Sequence, residues 1–223
     1  MSLELSGTTG VKGVAGSVSA PSIVGDDTNT GISFPSADTI KFSTGGVERM
    51  QITNSGVTGT GISNGKILSV QQAVKTDTAS FSTGSSTVSD SYFDISGLSV
   101  TLTPSSGTKC LINYTVNIGG ETDFDAGIAL LRGSTQIYLG DASGSRQRLS
   151  SYYFIDAGNE TYGASGQFLD THGADGSTAV TYKLQMYVAT PGRTTRVNRS
   201  HDDADDRGSA RLASQITVME VAA

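Results

Sequence analysis

Two stretches of the chain alternate apolar and polar side chains with a period of two, the period of a β-strand buried on one face and not of a helix. Cys110, Ile112, Tyr114, Val116 and Ile118 share one face, with Asn113, Thr115 and Asn117 on the other. Val180, Tyr182, Leu184, Met186 and Val188 alternate in the same way with Thr181, Lys183 and Gln185. Such strands must lay their apolar faces against a second layer, so residues 66–223 read as an all-β, antiparallel β-sandwich or jelly-roll-like domain. Leu98/Val100/Leu102, Ile128/Leu130, Ile137/Leu139, Leu149 to Ile155 and Ile216 to Val221 supply further strands. Turn clusters such as Pro104-Ser105-Ser106-Gly107 and Asp141-Ala142-Ser143-Gly144 separate them. About eight to ten strands are predicted here, with helix a minor component.

Residues 1 to 65 are built differently. Gly, Ser and Thr dominate, and apolar residues come as i, i+2 pairs: Ile32/Phe34, Ile40/Phe42 and Met50/Ile52. Between the pairs lie Gly25 to Gly31, Ser43-Thr44-Gly45-Gly46 and Asn54-Ser55-Gly56, which read as turns because Gly, Asn and Asp tolerate positive φ. Strands this short, with one or two apolar side chains each, do not offset a backbone ordering cost of ~1–2 kcal/mol per residue. The regular recurrence of the pairs favours completion of the core by copies of the same chain over a disordered linker.

The rest of the composition narrows function. A net charge of −6 denies the chain the positive field that nucleic-acid phosphates require, so no nucleic acid is expected as a partner. The start, Met1-Ser2-Leu3-Glu4-Leu5, has neither the basic residues nor the apolar run of a secretory signal, and no stretch approaches the ~20 apolar residues of a membrane helix. Synthesis in a cytoplasm and no membrane insertion are the expectation. The single Cys110 cannot form an intrachain disulfide and reads as a buried core thiol.

Little in the chain points to catalysis. His172 and His201 are the only imidazoles, both in Gly/Asp loops, and serine is too common here for a Ser/His/Asp set to carry information. No catalytic residue is assigned, and a non-enzyme is expected. The run His201-Asp202-Asp203-Ala204-Asp205-Asp206 fails the Ca²⁺-loop spacing, since Arg207 and Ser214 stand where oxygen ligands belong. It reads as a solvated acidic loop flanked by Arg199 and Arg207, with no metal and no cofactor. Gly59 to Lys66 lacks the first glycine and the hydroxyl of a phosphate loop, and reads as the joint between the halves. Tyr152, Tyr153, Phe154 and Tyr162 suit core and cross-strand pairing, or stacking on a sugar where exposed.

Two sets of motifs resemble short tail fibres of cyanophages and other aquatic bacteriophages. The first half carries Leu5-Ser6-Gly7-Thr8-Thr9-Gly10, Ser19-Ala20-Pro21, Gly25-Asp26-Asp27-Thr28-Asn29-Thr30-Gly31-Ile32-Ser33-Phe34 and Ser43-Thr44-Gly45-Gly46-Val47-Glu48-Arg49-Met50-Gln51-Ile52. The second half carries Leu102-Thr103-Pro104-Ser105-Ser106, Leu131-Arg132-Gly133-Ser134-Thr135, Gly140-Asp141-Ala142, Thr181-Tyr182-Lys183-Leu184-Gln185, Val197-Asn198-Arg199-Ser200 and Ile216-Thr217-Val218-Met219-Glu220.

The resemblance implies a parallel homotrimer, a virion protein assembled in the host cytoplasm. It implies an N-terminal attachment segment (1–20) meeting a tail or baseplate protein, with Leu3, Leu5, Val11 and Val14 as candidates. A trimeric β shaft (21–65) and a C-terminal receptor-binding knob (66–223) follow, the knob meeting a host surface glycan or protein. Strand-joining loops supply the candidate receptor contacts: Asp123 and Asp125, Asn159 and Tyr162, His172, and His201 and Arg207. The alternatives are a capsid head fibre or decoration protein, and a glycan-degrading tailspike, which would show a longer repetitive β-helix and paired acidic residues in a groove.

Overall fold

The computed structural model describes residues 4–6, 10–12, 15–59, 67–83 and 91–222. Among them every regular element is a strand and every ladder is antiparallel. The chain divides into two compact units, Met1–Lys66 and Ile67–Ala223. Most of the Gly59 to Lys66 joint lies outside the described residues.

In the first unit, β1 (Glu4–Ser6) pairs with β2 (Gly10–Lys12), with Leu5 opposite Val11. The strands β3 (Ile23–Val24), β4 (Gly31–Ser33), β5 (Ile40–Thr44), β6 (Val47–Thr53) and β7 (Gly56–Thr58) form a meander in chain order. Local chemistry sets its turns. Gly45 and Gly46 take φ of +58° and +73° between β5 and β6, a left-handed pair that fits the twist of a tight hairpin. The Asp27 carboxylate accepts the Thr30 hydroxyl at 2.6 Å and the Asn29 N–H at 3.1 Å; these bonds close the β3–β4 loop and hold the carboxyl below its ordinary pKa.

The meander's register gathers its apolar residues on one face. Ile23, Ile32, Phe42 and Met50 stand in one cross-strand row, and Ile40, Ile52 and Val57 in the next. None of them is fully buried, and Ile23 and Val57 keep 55% and 48% of their surface in solvent. Among the described residues of this unit, those buried are Ser33 and Ser43, on the opposite face.

Among its described residues the second unit holds eleven strands, more than the sequence predicts. In order they are β8 (Ile67–Lys75), β9 (Ala79–Ser82), β10 (Ser91–Leu102), β11 (Lys109–Gly120), β12 (Phe124–Arg132), β13 (Thr135–Ile137), β14 (Ser151–Ile155), β15 (Thr161–Asp170), β16 (Val180–Val188), β17 (Thr194–Val197) and β18 (Ser214–Val221). One sheet runs β10-β16-β12, with β13 and β14 sharing the far edge of β12. In the other, β11 is flanked by β15 on one side and by β18 and β17 on the other, with β8 beyond β18 and β9 beyond β17. The two sheets enclose a core of Leu98, Ile112, Val116, Ile118, Phe124, Ile128, Leu130, Ile155, Leu184, Met186, Ile216 and Val218, all essentially out of solvent. Cys110 is a free thiol buried in that core.

Asp170 and Asn198 show how burial is matched by pairing in the sandwich. Asp170 accepts two contacts from Arg132 Nη1, both at 2.9 Å, and the Tyr182 hydroxyl at 2.7 Å. Burial, and then the bond to Asp170, push the Tyr182 phenol far above its ordinary range. Asn198, fully buried with φ +64°, donates to the carbonyls of Lys75 and Asp77 and accepts the Ser214 hydroxyl.

Candidate functional site

The outer face of the β10-β16-β12-β14 sheet carries a row of tyrosines with one gap. Tyr92 faces Tyr187 across the β10–β16 ladder, with ring centres 5.2 Å apart. Tyr187 faces Gly127 across β16–β12, and Gly127 faces Tyr152 across β12–β14. The gap is filled from above. A β-carbon at Gly127 would come within 2.6 Å of Leu149 Cδ1 and 2.7 Å of the Ser151 carbonyl, so glycine lets the connection between β13 and β14 lie down on the sheet.

That connection, residues 138–150, is anchored at its end. The Ser150 N–H donates to the Ile128 carbonyl at 2.9 Å, and the Ser150 hydroxyl accepts the Leu130 N–H at 3.0 Å. Arg146 Nη1 donates to the Ser143 hydroxyl at 2.6 Å, Arg148 Nε to the Gly140 carbonyl at 2.7 Å, and the Tyr92 hydroxyl to Gln147 Oε1 at 3.0 Å. Beneath it Ala129, Leu131 and Tyr187 are buried, although they point away from the core between the sheets.

Between this loop and β14 opens a groove of about 690 Å³, lined by Asp125, Asp141, Arg146, Arg148, Tyr152 and Tyr187 among others. Tyr152 is 57% exposed and Phe154, two residues along the same face, 51%. Desolvation, and then the neighbouring Asp125 carboxylate, push the Tyr152 phenol up to about 12. No ion pair among the described residues uses Asp125, Asp141, Arg146 or Arg148. The groove therefore offers an aromatic face, a carboxylate acceptor and guanidinium donors together, the group types that hold a polar ligand with an apolar side. No group of three or more His, Cys, Asp or Glu side chains among the described residues is arranged to hold a metal ion.

The residues singled out from sequence are dispersed rather than gathered at one site. Asp125 lines the groove. Asp123 (φ +58°) turns the chain between β11 and β12, its N–H on the Ile155 carbonyl at 2.8 Å. Exposed Asn159 sits in the β14–β15 loop, against which His201 docks through its N–H on the Gly158 carbonyl at 2.9 Å. Arg207 is exposed in the same β17–β18 loop as His201. Tyr162, expected in a loop, is instead part of β15: half-buried, its ring 6.3 Å from that of Tyr153 and its hydroxyl bonded to Glu160.

His172 lies at the opposite end of β15 from Tyr162. Its Nδ1 accepts the Ala174 N–H at 2.9 Å and its Nε2 meets the Thr108 hydroxyl at 3.2 Å, so the ring braces a turn. In the acidic run Asp203 pairs with Arg199 at 3.1 Å and with Arg211 at 2.8 Å, while Asp202, Asp205, Asp206 and the flanking Arg207 are exposed. Of the attachment candidates, Leu5 and Val11 face one another in the β1–β2 pair, and Leu3 and Val14 lie outside the described residues.

Sequence reasoning missed Tyr92, Tyr187, Asp141, Arg146 and Arg148. The signal that could have found them was the length of the polar segment between Ile137 and Ser151, longer than most strand connections.

No family model matches the chain, and no curated protein matches it. Among solved structures it is similar to a chain in the structure of infectious bursal disease virus Gx strain, at 12% identity and a TM-score of 0.31 over 69% of this chain and 37% of that one. It is similar also to a chain of the Gt strain, at 9% identity and a TM-score of 0.34 over 83% of this chain and 48% of that one. The chain thus spans less than half the length of the solved chains it matches. Both structures are of a virus, and likeness at these TM-scores does not establish a shared fold.

Proposed function

We propose that the chain is a non-enzymatic structural protein of a bacteriophage virion, a tail fibre. On this reading residues 1–20 dock to a tail or baseplate protein, residues 21–65 form a shaft with two further copies of the chain, and residues 66–223 adsorb to the host surface. The observation that carries it is the open apolar face of the β3–β7 meander, where Ile23, Ile32, Phe42, Met50, Ile40, Ile52 and Val57 gather and none is fully buried. A sheet with one uncovered apolar face needs a second layer. The face is indented by about 360 Å³ between Phe34, Ile40 and Ile52, room for a side chain of a neighbouring copy. Three copies would also present three grooves to one surface and raise attachment by avidity.

The test is the native mass of the full chain by light scattering. A mass near three times 23.0 kDa is expected; a stable monomer overturns the fibre reading.

A further inference from the structure

The groove between Tyr152 and the 138–150 loop points to a ligand class. We propose that it binds the hexose units of a surface polysaccharide, with Tyr152 as the stacking platform, Asp125 as the acceptor for sugar hydroxyls, and Arg146 and Arg148 as donors from the facing wall. The inference deepens the attachment reading and rests on it for the source of the saccharide.

Three observations select this chemistry. The charges balance, Arg146 and Arg148 against Asp125 and Asp141, so the groove has no net field with which to gather phosphates or sulfates. A ligand rich in neutral hydroxyls uses both signs, giving hydrogens to the carboxylates and taking them from the guanidiniums. The exposed aromatic surface is also held by the sheet: the backbone of Tyr152 is paired in the β12–β14 ladder opposite Gly127, with Phe154 paired opposite Asp125. A pyranose ring has one face of C–H groups that covers such a surface while its hydroxyls point outward. Finally, Phe154 lies on the same face of β14, roughly 6–7 Å further along the strand. An oligosaccharide running along β14 therefore meets two aromatic rings, while the groove of about 690 Å³ takes the unit at Tyr152.

The experiment titrates the full chain by calorimetry with hexasaccharides of glucose, of galactose and of mannose, and with dextran sulfate as a polyanion. The expected result is saturable binding of at least one neutral hexasaccharide, little changed between about 50 and 300 mM salt. It should weaken about tenfold or more in Tyr152→Ala and in Asp125→Ala, and be unchanged in Gln167→Ala, an exposed position on β15 of the other sheet, with all variants melting near the parent. No binding of any neutral hexasaccharide, binding indifferent to Tyr152 and Asp125, or salt-sensitive binding of dextran sulfate alone overturns the proposal. Its failure is separable from that of the fibre reading. A trimer that binds no hexasaccharide keeps the fibre and loses the groove, whereas a monomer that binds through Tyr152 does the reverse.

Discussion

Tyr114 of β11 lies across the bare backbone of Gly166, its directly opposite partner on β15, so closely that a β-carbon at 166 would come within 2.6 Å of the phenol oxygen. Past Gly166 the hydroxyl reaches Ser151 on the other sheet at 3.0 Å. Glycine inside a strand ordinarily weakens it; here the missing side chain is the space that the ring occupies. Gly166→Ala should cost about 1–3 kcal/mol by overpacking. Tyr114→Phe keeps the ring and loses one hydrogen bond, for about 1 kcal/mol. Thermal melting of the two variants checks the order; a larger loss for Tyr114→Phe would mean that the ring can shift aside freely.

Asn198 binds the bend after β8 to the start of β18. Its amide donates to the Lys75 and Asp77 carbonyls at 2.8 and 2.9 Å, and its Oδ1 accepts Ser214 at 2.6 Å. Asn198→Ala orphans these groups and places alanine at φ +64°, so a loss of about 2–4 kcal/mol is expected. Asn198→Gly tolerates the backbone and should lose less. Denaturant titration measures both, and equal losses would show that the side chain alone matters.

Arg132 keeps the Asp170 carboxylate paired where little water reaches it, the two side chains being 32% and 7% exposed. Arg132→Met removes the cation and leaves Asp170 with the Tyr182 hydroxyl. Because Arg132 is itself partly solvated, about 2–3 kcal/mol is expected, below the usual cost of breaking a buried pair. A double variant that also carries Asp170→Asn should recover part of the loss in the same melting assay; no recovery would mean that charge is not the cause.

Glu220 gives the sandwich a pH dependence on the acid side. Burial alone would raise its pKa, but bonds from Ser105, Thr108 and Ser69 outweigh it and hold the carboxyl below its ordinary 4.5. A folded-state pKa below the unfolded one means that the stabilisation is complete above pH 4.5 and is lost as pH falls from there through the folded value. The parent should therefore lose melting temperature below about pH 4.5, and Glu220→Gln should lose less over the same interval. Parallel curves for the two proteins would remove Glu220 as a cause.

The sequence made β11 and β16 plain, because every second residue from Cys110 to Ile118 and from Val180 to Val188 enters the core. It hid β9 and β17, which span four residues each and depend on the neighbours they pair with. The strand β15 was masked by Gly163 and Gly166 and by its single fully buried apolar residue, Ala164. Of the groove, Asp125, Tyr152 and Phe154 stood out by type. Their meeting with Tyr187 and with the arginines of the 138–150 loop depends on strand register and on the fit of Leu149 over Gly127, which no local pattern encodes.

The 138–150 loop is laid over a sheet whose core is already complete beneath it, and it is fastened chiefly through Leu149 and Ser150. Residues 139–148 can thus be exchanged as a cassette without reopening the sandwich. If the groove binds as proposed, a lineage that rewrites this one segment would change what the protein recognises while inheriting its fold, and the same ten positions are where a library for altered binding should be built.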